Sequence, residues 1–102
     1  MGTGAARVLT RALVVKGFES ILATTGVKAL TPVSGTVQAV CQVQDEPLRF
    51  RMDGTDPTDA TGQEAFAGDV ITIDGPDDIA VFKFIRHADS SPNGKLVCHY
   101  YG

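Results

Sequence analysis

The sequence predicts an all-β fold, a small antiparallel β-sandwich or barrel of jelly-roll-like type with a flexible N-terminal arm. Runs that alternate apolar and polar residues recur along the 102-residue chain at short, regular intervals. Clusters of Asp, Gly, Pro and Asn separate these runs, as turns separate strands. The alternation of strands with long helical patterns that is typical of a parallel sheet does not occur. Strand order would decide between sandwich and barrel, and the sequence leaves both open.

The clearest strand pattern covers residues 36–44. Val37, Ala39, Cys41 and Val43 fall on one face of such a strand, and polar residues occupy most of the other face. This alternation predicts a half-buried strand of an antiparallel sheet.

Residues 48–52 alternate again, with Leu48, Phe50 and Met52 on the side predicted to be buried. Only residues 45–47, Asp-Glu-Pro, separate this run from the preceding strand. Two alternating runs with so short a link predict a β-hairpin.

Three further strands are predicted at residues 69–74, 79–86 and 95–101. The run at 79–86 is the richest in β-branched and aromatic residues, so we expect one continuous strand there. Asn93 and Gly94 precede the last strand, and this pair is a strong signal for a hairpin turn.

The domain prediction is a flexible arm over residues 1–16 followed by a single β domain over residues 17–102. Residues 1–6 are rich in Gly and Ala, which favours a loose terminus. Residues 8–18 suit a strand or a short helix, and hydrophobic periodicity does not decide between them.

The two cysteines, Cys41 and Cys98, both lie in strand-like apolar runs. We interpret them as buried, reduced thiols. A disulfide between them requires that their two strands be neighbours.

No residue pattern indicates catalysis, so we predict that the protein is not an enzyme and binds no cofactor. Ser90 and His87 are close in sequence, but a serine nucleophile also needs an orienting acid and an oxyanion hole. Cys98 and His99 are adjacent, so on a strand they point to opposite faces. No glycine-rich phosphate-binding motif occurs.

Aspartates at positions 53, 56 and 59 lie in a dense turn cluster. A calcium site is one interpretation, but the run lacks the alternate acids and distal Glu of an EF-hand loop. Asp before Gly or Pro also caps turns, and we favour that interpretation. We predict no metal.

The net charge of −3 is unevenly distributed. Residues 1–28 are basic, whereas residues 45–78 carry ten acids against two arginines. This asymmetry suits contact between copies or with charged partner surfaces, and solvated loop charge is the alternative. The residues predicted to lie at an interface are Arg7, Arg11, Lys16, Asp53, Asp56, Asp59, Asp77, Asp78 and Tyr101. We expect no nucleic-acid partner because the basic residues are few and scattered, and no membrane segment because uncharged runs are too short and polar.

Four segments together resemble small structural proteins of tailed bacteriophages. They are QDEPLRFRMDGTDPT at 44–58, AGDVI at 67–71, DIAVFKFI at 78–85 and VCHYY at 97–101. The order and short spacing of the segments carry the resemblance, which covers roughly residues 36–102.

The resemblance implies a virion protein, assembled in the host cytoplasm and without enzymatic activity. The expected role is capsid decoration, in which the protein binds the major capsid protein and copies of itself, as a homotrimer, and stabilises the head. The basic arm would then contact acidic capsid surface or a neighbour's acidic loops. A head–tail connector or tail component, and a displayed module that binds carbohydrate or host surface, are the alternatives.

Overall fold

The computed structural model describes residues 12–102, so Arg7 and Arg11 of the predicted arm lie outside the described residues. The prediction of an all-β fold is confirmed. The described residues form eight strands and one short helix: β1 Val15–Leu22, β2 Lys28–Ala29, β3 Gln38–Gln44, β4 Leu48–Arg51, β5 Gln63–Ala65, β6 Val70–Asp74, α1 Pro76–Val81, β7 Lys83–Arg86 and β8 Lys95–Tyr101. The first strand begins at Val15, so Lys16 belongs to the sheet although we predicted it in the arm.

The strands form two four-stranded antiparallel sheets. We call β1–β8–β3–β6 the front sheet and β2–β7–β4–β5 the back sheet. Strand β1 pairs with β8, β2 with β7, β3 with β6 and β4 with β5, so the chain is one long antiparallel hairpin rolled into two layers. This is the eight-stranded jelly roll, and it decides the open question in favour of a sandwich.

The predicted hairpin between residues 36–44 and 48–52 is wrong. Strand β3 lies in the front sheet and β4 in the back sheet, so residues 45–47 cross between layers. The hairpin predicted at Asn93 and Gly94 is wrong for the same reason, because β7 and β8 also lie in different sheets. Local alternation and turn residues look the same whether the next strand pairs with its predecessor or crosses to the other sheet.

The two crossing connections pack against each other at one end of the sandwich. The Ser90 hydroxyl donates to the carbonyl of Pro47 at 2.6 Å, and the Ser91 N–H donates to the Glu46 carboxylate at 3.1 Å. A Cβ added to Gly94 would lie 2.2 Å from the carbonyl oxygen of Glu46. Gly94 is therefore needed for close backbone contact, not for a hairpin turn.

The continuous strand predicted over residues 79–86 is also wrong. Helix α1 occupies Pro76–Val81, and only Lys83–Arg86 form strand β7. Proline at the helix start and Asp77 and Asp78 in its first turn are favourable at a helix N-terminus, and these residues outweigh the β propensity that follows. Among residues 12–102, no helix is long and apolar enough to cross a membrane.

The core fills the space between the two sheets. Ala39, Cys41 and Val43 of β3 are buried as predicted, whereas Val37 remains 41 % exposed because it precedes the strand. Met52, also predicted to be buried, follows the end of β4 and is 40 % exposed. The largest buried side chains are Tyr100, Phe82, Phe84, Leu48, Ile73 and Ile79.

Candidate interaction surface

The outer face of the front sheet carries a group of apolar and aromatic side chains that face away from the core. Phe18 of β1 is opposite His99 of β8, and His99 is opposite Val40 of β3. One cross-strand row of side chains therefore spans three strands. Tyr101 and Val97 flank His99 along β8 on the same face, because side chains alternate between faces along a strand.

The rings in this group contact one another. The centroids of the Phe18 and His99 rings are 4.9 Å apart, and those of His99 and Tyr101 are 6.5 Å apart. Such tilted contacts are favourable for aromatic pairs. We call Phe18, Val40, Val97, His99 and Tyr101 the aromatic face.

The aromatic face is open to solvent. Phe18 is 58 % exposed, and Val70 and Leu22, farther out on the same sheet, are 61 % and 52 % exposed. Polar side chains surround these residues, among them Gln38, whose amide donates to Asp74 at 2.7 Å. An apolar centre with a polar rim is the composition typical of a protein-binding surface.

Two of the predicted interface residues, Lys16 and Tyr101, lie near the same end of this sheet. Tyr101 is the partner of Val15 and of Gln38 in the strand register, so it lies beside the start of β1. The Lys16 side chain lies there too, against Gly35 and Gly102.

Asp77 and Asp78 lie in α1, which follows β6 at the opposite edge of the front sheet and contacts β6 and β3. Strand β1, with Lys16, forms the other edge. Lys16 at one edge and Asp77 and Asp78 beyond the other therefore carry charges of opposite sign, whereas the carboxylate of Glu19, also in β1, accepts the Tyr100 hydroxyl.

The three remaining predicted aspartates lie between β4 and β5, in the back sheet, apart from the aromatic face. Asp53 pairs with Arg51, and this hydrogen bond lowers the pKa of Asp53 to about 2. Asp56 pairs with Lys83 at 2.9 Å. The side chain of Asp59 is exposed, and its backbone carbonyl accepts a hydrogen bond from Arg49. Among residues 12–102, no group of three or more His, Cys, Asp and Glu side chains is placed to hold a metal ion.

His87 borders a cavity of about 430 Å³, together with Thr58, Asp59 and Arg86. Its Nδ1 accepts the N–H of Asp89 at 3.0 Å, so in the neutral ring Nε2 carries the proton and donates to Glu64, also at 3.0 Å. Both ring nitrogens are thus already engaged, which suits a structural anchor between loops better than a general base.

In neither of the two residue pairs considered for nucleophilic catalysis do the side chains pair, although the Ser90 N–H donates to the His87 carbonyl at 3.0 Å. The Ser90 hydroxyl is directed to Pro47 and does not bond His87. Cys98 is buried and His99 is exposed, which confirms that they face opposite sides of β8.

The sequence reasoning missed most of the aromatic face. Tyr101 was predicted as an interface residue, but Phe18 lies in a segment whose secondary structure we left open. Its neighbour Glu19 is directed inward, where it accepts hydrogen bonds from Tyr100 and Thr31. The sequence feature that indicates this outer face is the alternation of Phe18, Ser20 and Leu22 with Glu19 and Ile21. The acidic Glu19 occupies an inward position, which obscures the pattern.

Comparisons of the chain with protein families, with curated proteins and with solved structures gave no match. The strand order of the two sheets defines the class of protein, a small jelly-roll domain.

Proposed function

We propose that the protein is a non-enzymatic structural component of a tailed-phage particle, most specifically a decoration protein that binds the capsid lattice and stabilises the head. The observation that carries the proposal is the exposed aromatic face. Exposed aromatic residues with a polar rim are suited to bury a partner surface, and interface hot spots are enriched in such residues.

The fold is compatible with this role. Jelly rolls occur in viral capsid domains, in lectins and in cupins, so the fold alone does not choose among them. The resemblance of residues 36–102 to small virion proteins of tailed phages favours the capsid.

Strand β1 forms one outer edge of the front sheet, and this edge supports contact between copies. Just beyond the paired ends of β1 and β8, Ala23 donates its N–H to the carbonyl of Gly94. Backbone N–H and C=O groups alternate in direction along a strand. The N–H and C=O groups of Phe18, Ser20 and Leu22 therefore point away from β8. Among the described residues, no strand pairs with this side of β1.

The β6 edge, with Asp77 and Asp78 just beyond it, is the complementary surface on a neighbouring copy. Head-to-tail contact between unlike edges closes into a ring when the rotation permits, and a trimer is the closed form that we propose. Such an oligomer presents several aromatic faces to a symmetric shell at once.

The experiment that tests the role uses heads of the phage that encodes the chain, isolated without this protein. Purified protein is mixed with these heads, and the bound fraction is measured by co-sedimentation. We expect saturable binding that Phe18→Ser weakens at least tenfold.

Phe66→Ser is the matched control, because Phe66 is 53 % exposed but lies in the turn between β5 and β6, away from the aromatic face. Equal loss in both variants would contradict a role for the aromatic face. A wild-type protein that does not sediment with heads but does bind isolated tails would favour the tail component instead.

Native mass distinguishes the oligomers. Light scattering over a range of protein and salt concentrations should give a trimer that dissociates as salt rises, because the proposed contact joins opposite charges. A larger, salt-resistant ring would favour a head–tail connector.

A displayed carbohydrate-binding module is the second candidate, and the exposed Phe18 ring favours it. A sugar can stack on an exposed aromatic ring, and Phe18 is 58 % exposed. Binding on a glycan array that Phe18→Ser abolishes, without binding to heads, would establish this candidate in place of decoration.

A further inference from the structure

The two cysteines of the chain lie side by side in the core. Cys41 of β3 and Cys98 of β8 are direct partners in the strand register, and both point to the inner face of the front sheet. They are 1 % and 0 % exposed and are free thiols in this structure. The 56 residues that separate them in sequence include the whole back-sheet strands β4, β5 and β7.

The backbone hydrogen bonds show which kind of pair they form. The bond from the N–H of Ala23 to the carbonyl of Gly94 places the even-numbered residues of β8 in hydrogen-bonded pairs with β1. The odd-numbered residues of β8 therefore bond to β3. Cys98 is even-numbered, so Cys41 and Cys98 form a non-hydrogen-bonded pair.

The other side of β3 agrees with this assignment. The N–H of Val43 donates to the carbonyl of Asp69, and the carbonyl of Val43 accepts the N–H of Gly68. Both backbone groups of Val43 therefore point towards β6 and away from β8, and those of Cys41, two residues earlier in β3, point the same way.

Non-hydrogen-bonded positions bring side chains closest together. The Cα atoms of such a pair are about 4.5 Å apart, and disulfides span Cα distances of about 4.4–6.8 Å. The strands therefore already hold the two sulfurs within reach of each other, and rotation of the side chains is the main change that a bond requires.

We propose that Cys41 and Cys98 are an oxidisable dithiol site that closes into a β3–β8 disulfide when the chain folds in the presence of a small disulfide oxidant of the glutathione class. One thiolate attacks a sulfur of the oxidant and expels one glutathione thiol. The second cysteine then displaces the other glutathione from this mixed disulfide, so one oxidised glutathione becomes two reduced ones and the chain loses two hydrogens.

The same packing sets when this reaction occurs. The pKa of the Cys98 thiol is raised by its hydrogen bond with Cys41, by burial and by the nearby Glu19 carboxylate. Because the thiolate is the reactive form, the folded dithiol reacts slowly, and exchange proceeds while the core is open. The redox state of the pair is then fixed at folding, and a disulfide once formed is shielded from reductants by the core.

The test refolds the reduced full chain from urea in oxidised glutathione, at mildly alkaline pH and low protein concentration. The product is denatured, alkylated and weighed by mass spectrometry. We expect a monomer that has lost two hydrogens and takes up no alkylating agent. Chains that carry glutathione on either cysteine, or that form disulfide-linked dimers, would overturn the proposal.

A parallel sample exposes the already folded dithiol to the same oxidant for the same time. We expect it to remain alkylatable on both cysteines after denaturation. Equal oxidation of the folded and the refolding chain would contradict the claim that the redox state of the pair is set during folding.

Unfolding by urea then reports whether the Cys41–Cys98 disulfide is compatible with the native sheet. The oxidised chain should unfold at a higher urea concentration than the reduced chain, and reductant added after unfolding should abolish the difference. The Cys41→Ala, Cys98→Ala double variant is the control and should show no shift with oxidant. An oxidised wild type that is less stable than the reduced one would show that the bond distorts the strands.

Discussion

Tyr100 donates its phenolic hydrogen bond to the carboxylate of Glu19, on the adjacent strand of the front sheet. The two residues are 81 positions apart in sequence and join the last strand to the first. Glu19 also accepts the backbone N–H of Thr31 at 2.8 Å, so its carboxylate ties the segment after β2 to the same site. The tyrosine is 1 % exposed, which makes this a polar contact at the edge of the core.

Removing the phenolic hydroxyl should destabilise the fold. For Tyr100→Phe we expect the free energy of unfolding to fall by about 1–3 kcal/mol, because a partly buried carboxylate loses a donor. Urea unfolding followed by fluorescence or circular dichroism measures the change. Tyr101→Phe, on the outer face, is the matched control and should change stability by less than about 0.5 kcal/mol. Equal effects of the two variants would show that the Glu19 contact contributes nothing.

Glu19 should also make stability depend on pH. Burial raises the pKa of this carboxyl, but hydrogen bonds from Thr31 and Tyr100 outweigh burial and hold the pKa below its ordinary value of 4.5. A carboxyl whose pKa is lower in the folded state stabilises the fold above its unfolded pKa, and the contribution disappears as the pH falls through the folded pKa.

The measurement compares wild type with Glu19→Gln in urea at a series of pH values. We expect the stability difference to be largest near neutral pH and to shrink on acidification below the ordinary carboxyl pKa. A difference that is independent of pH would contradict the assignment.

The contact between the two crossing connections is sensitive to a single methyl group. Gly94→Ala would place a Cβ 2.2 Å from the carbonyl oxygen of Glu46, which is backbone and moves only with the whole turn. We expect a loss of about 2–3 kcal/mol, comparable with overpacking in a core. Gly26→Ala is the control, because the nearest atom to its added Cβ is the Thr24 hydroxyl oxygen at 3.9 Å. If Gly94→Ala is as stable as Gly26→Ala in urea, the turns do not pack as described.

The opposite charges on the two edges of the front sheet can be exchanged. Under the proposed head-to-tail contact, Lys16→Glu should weaken self-association, seen as a lower mass by light scattering. Asp77→Lys with Asp78→Lys should weaken it as well. The triple variant should recover association, because the charges are again complementary. Recovered self-association would require that the two edges meet. Equally weak self-association in all three variants would refute that contact.

Much of the fold could be predicted because alternation is a local property. The strand around Cys41 follows directly from small apolar residues at every second position, and the inward direction of Phe82 and Phe84 follows from the same rule. Helix α1 could have been predicted from its Pro-Asp-Asp start, but the apolar run that follows favoured a strand. Strand β2 has only two residues, which is too short to leave a pattern.

The residues predicted to lie at an interface divide in a similar way. Charge could be read from the sequence, and Lys16, Asp77 and Asp78 do lie on the edges of one sheet. The distances between them could not be read, because each depends on which strands become neighbours. Asp53 and Asp56 were predicted with the others, yet each is held by a cation in the back sheet.

The sequence by itself determined the class of secondary structure, the inward and outward faces of the main strands and the uneven charge. Those properties depend on residues a few positions apart, whose spacing matches the repeat of a strand. Only the tertiary structure decided that residues 45–47 cross between sheets, that Phe18 joins His99 and Tyr101, and that Cys41 faces Cys98. Each of these depends on pairing between strands that are distant in sequence, and such pairing is selected by burial in the whole core rather than by any local run of residues.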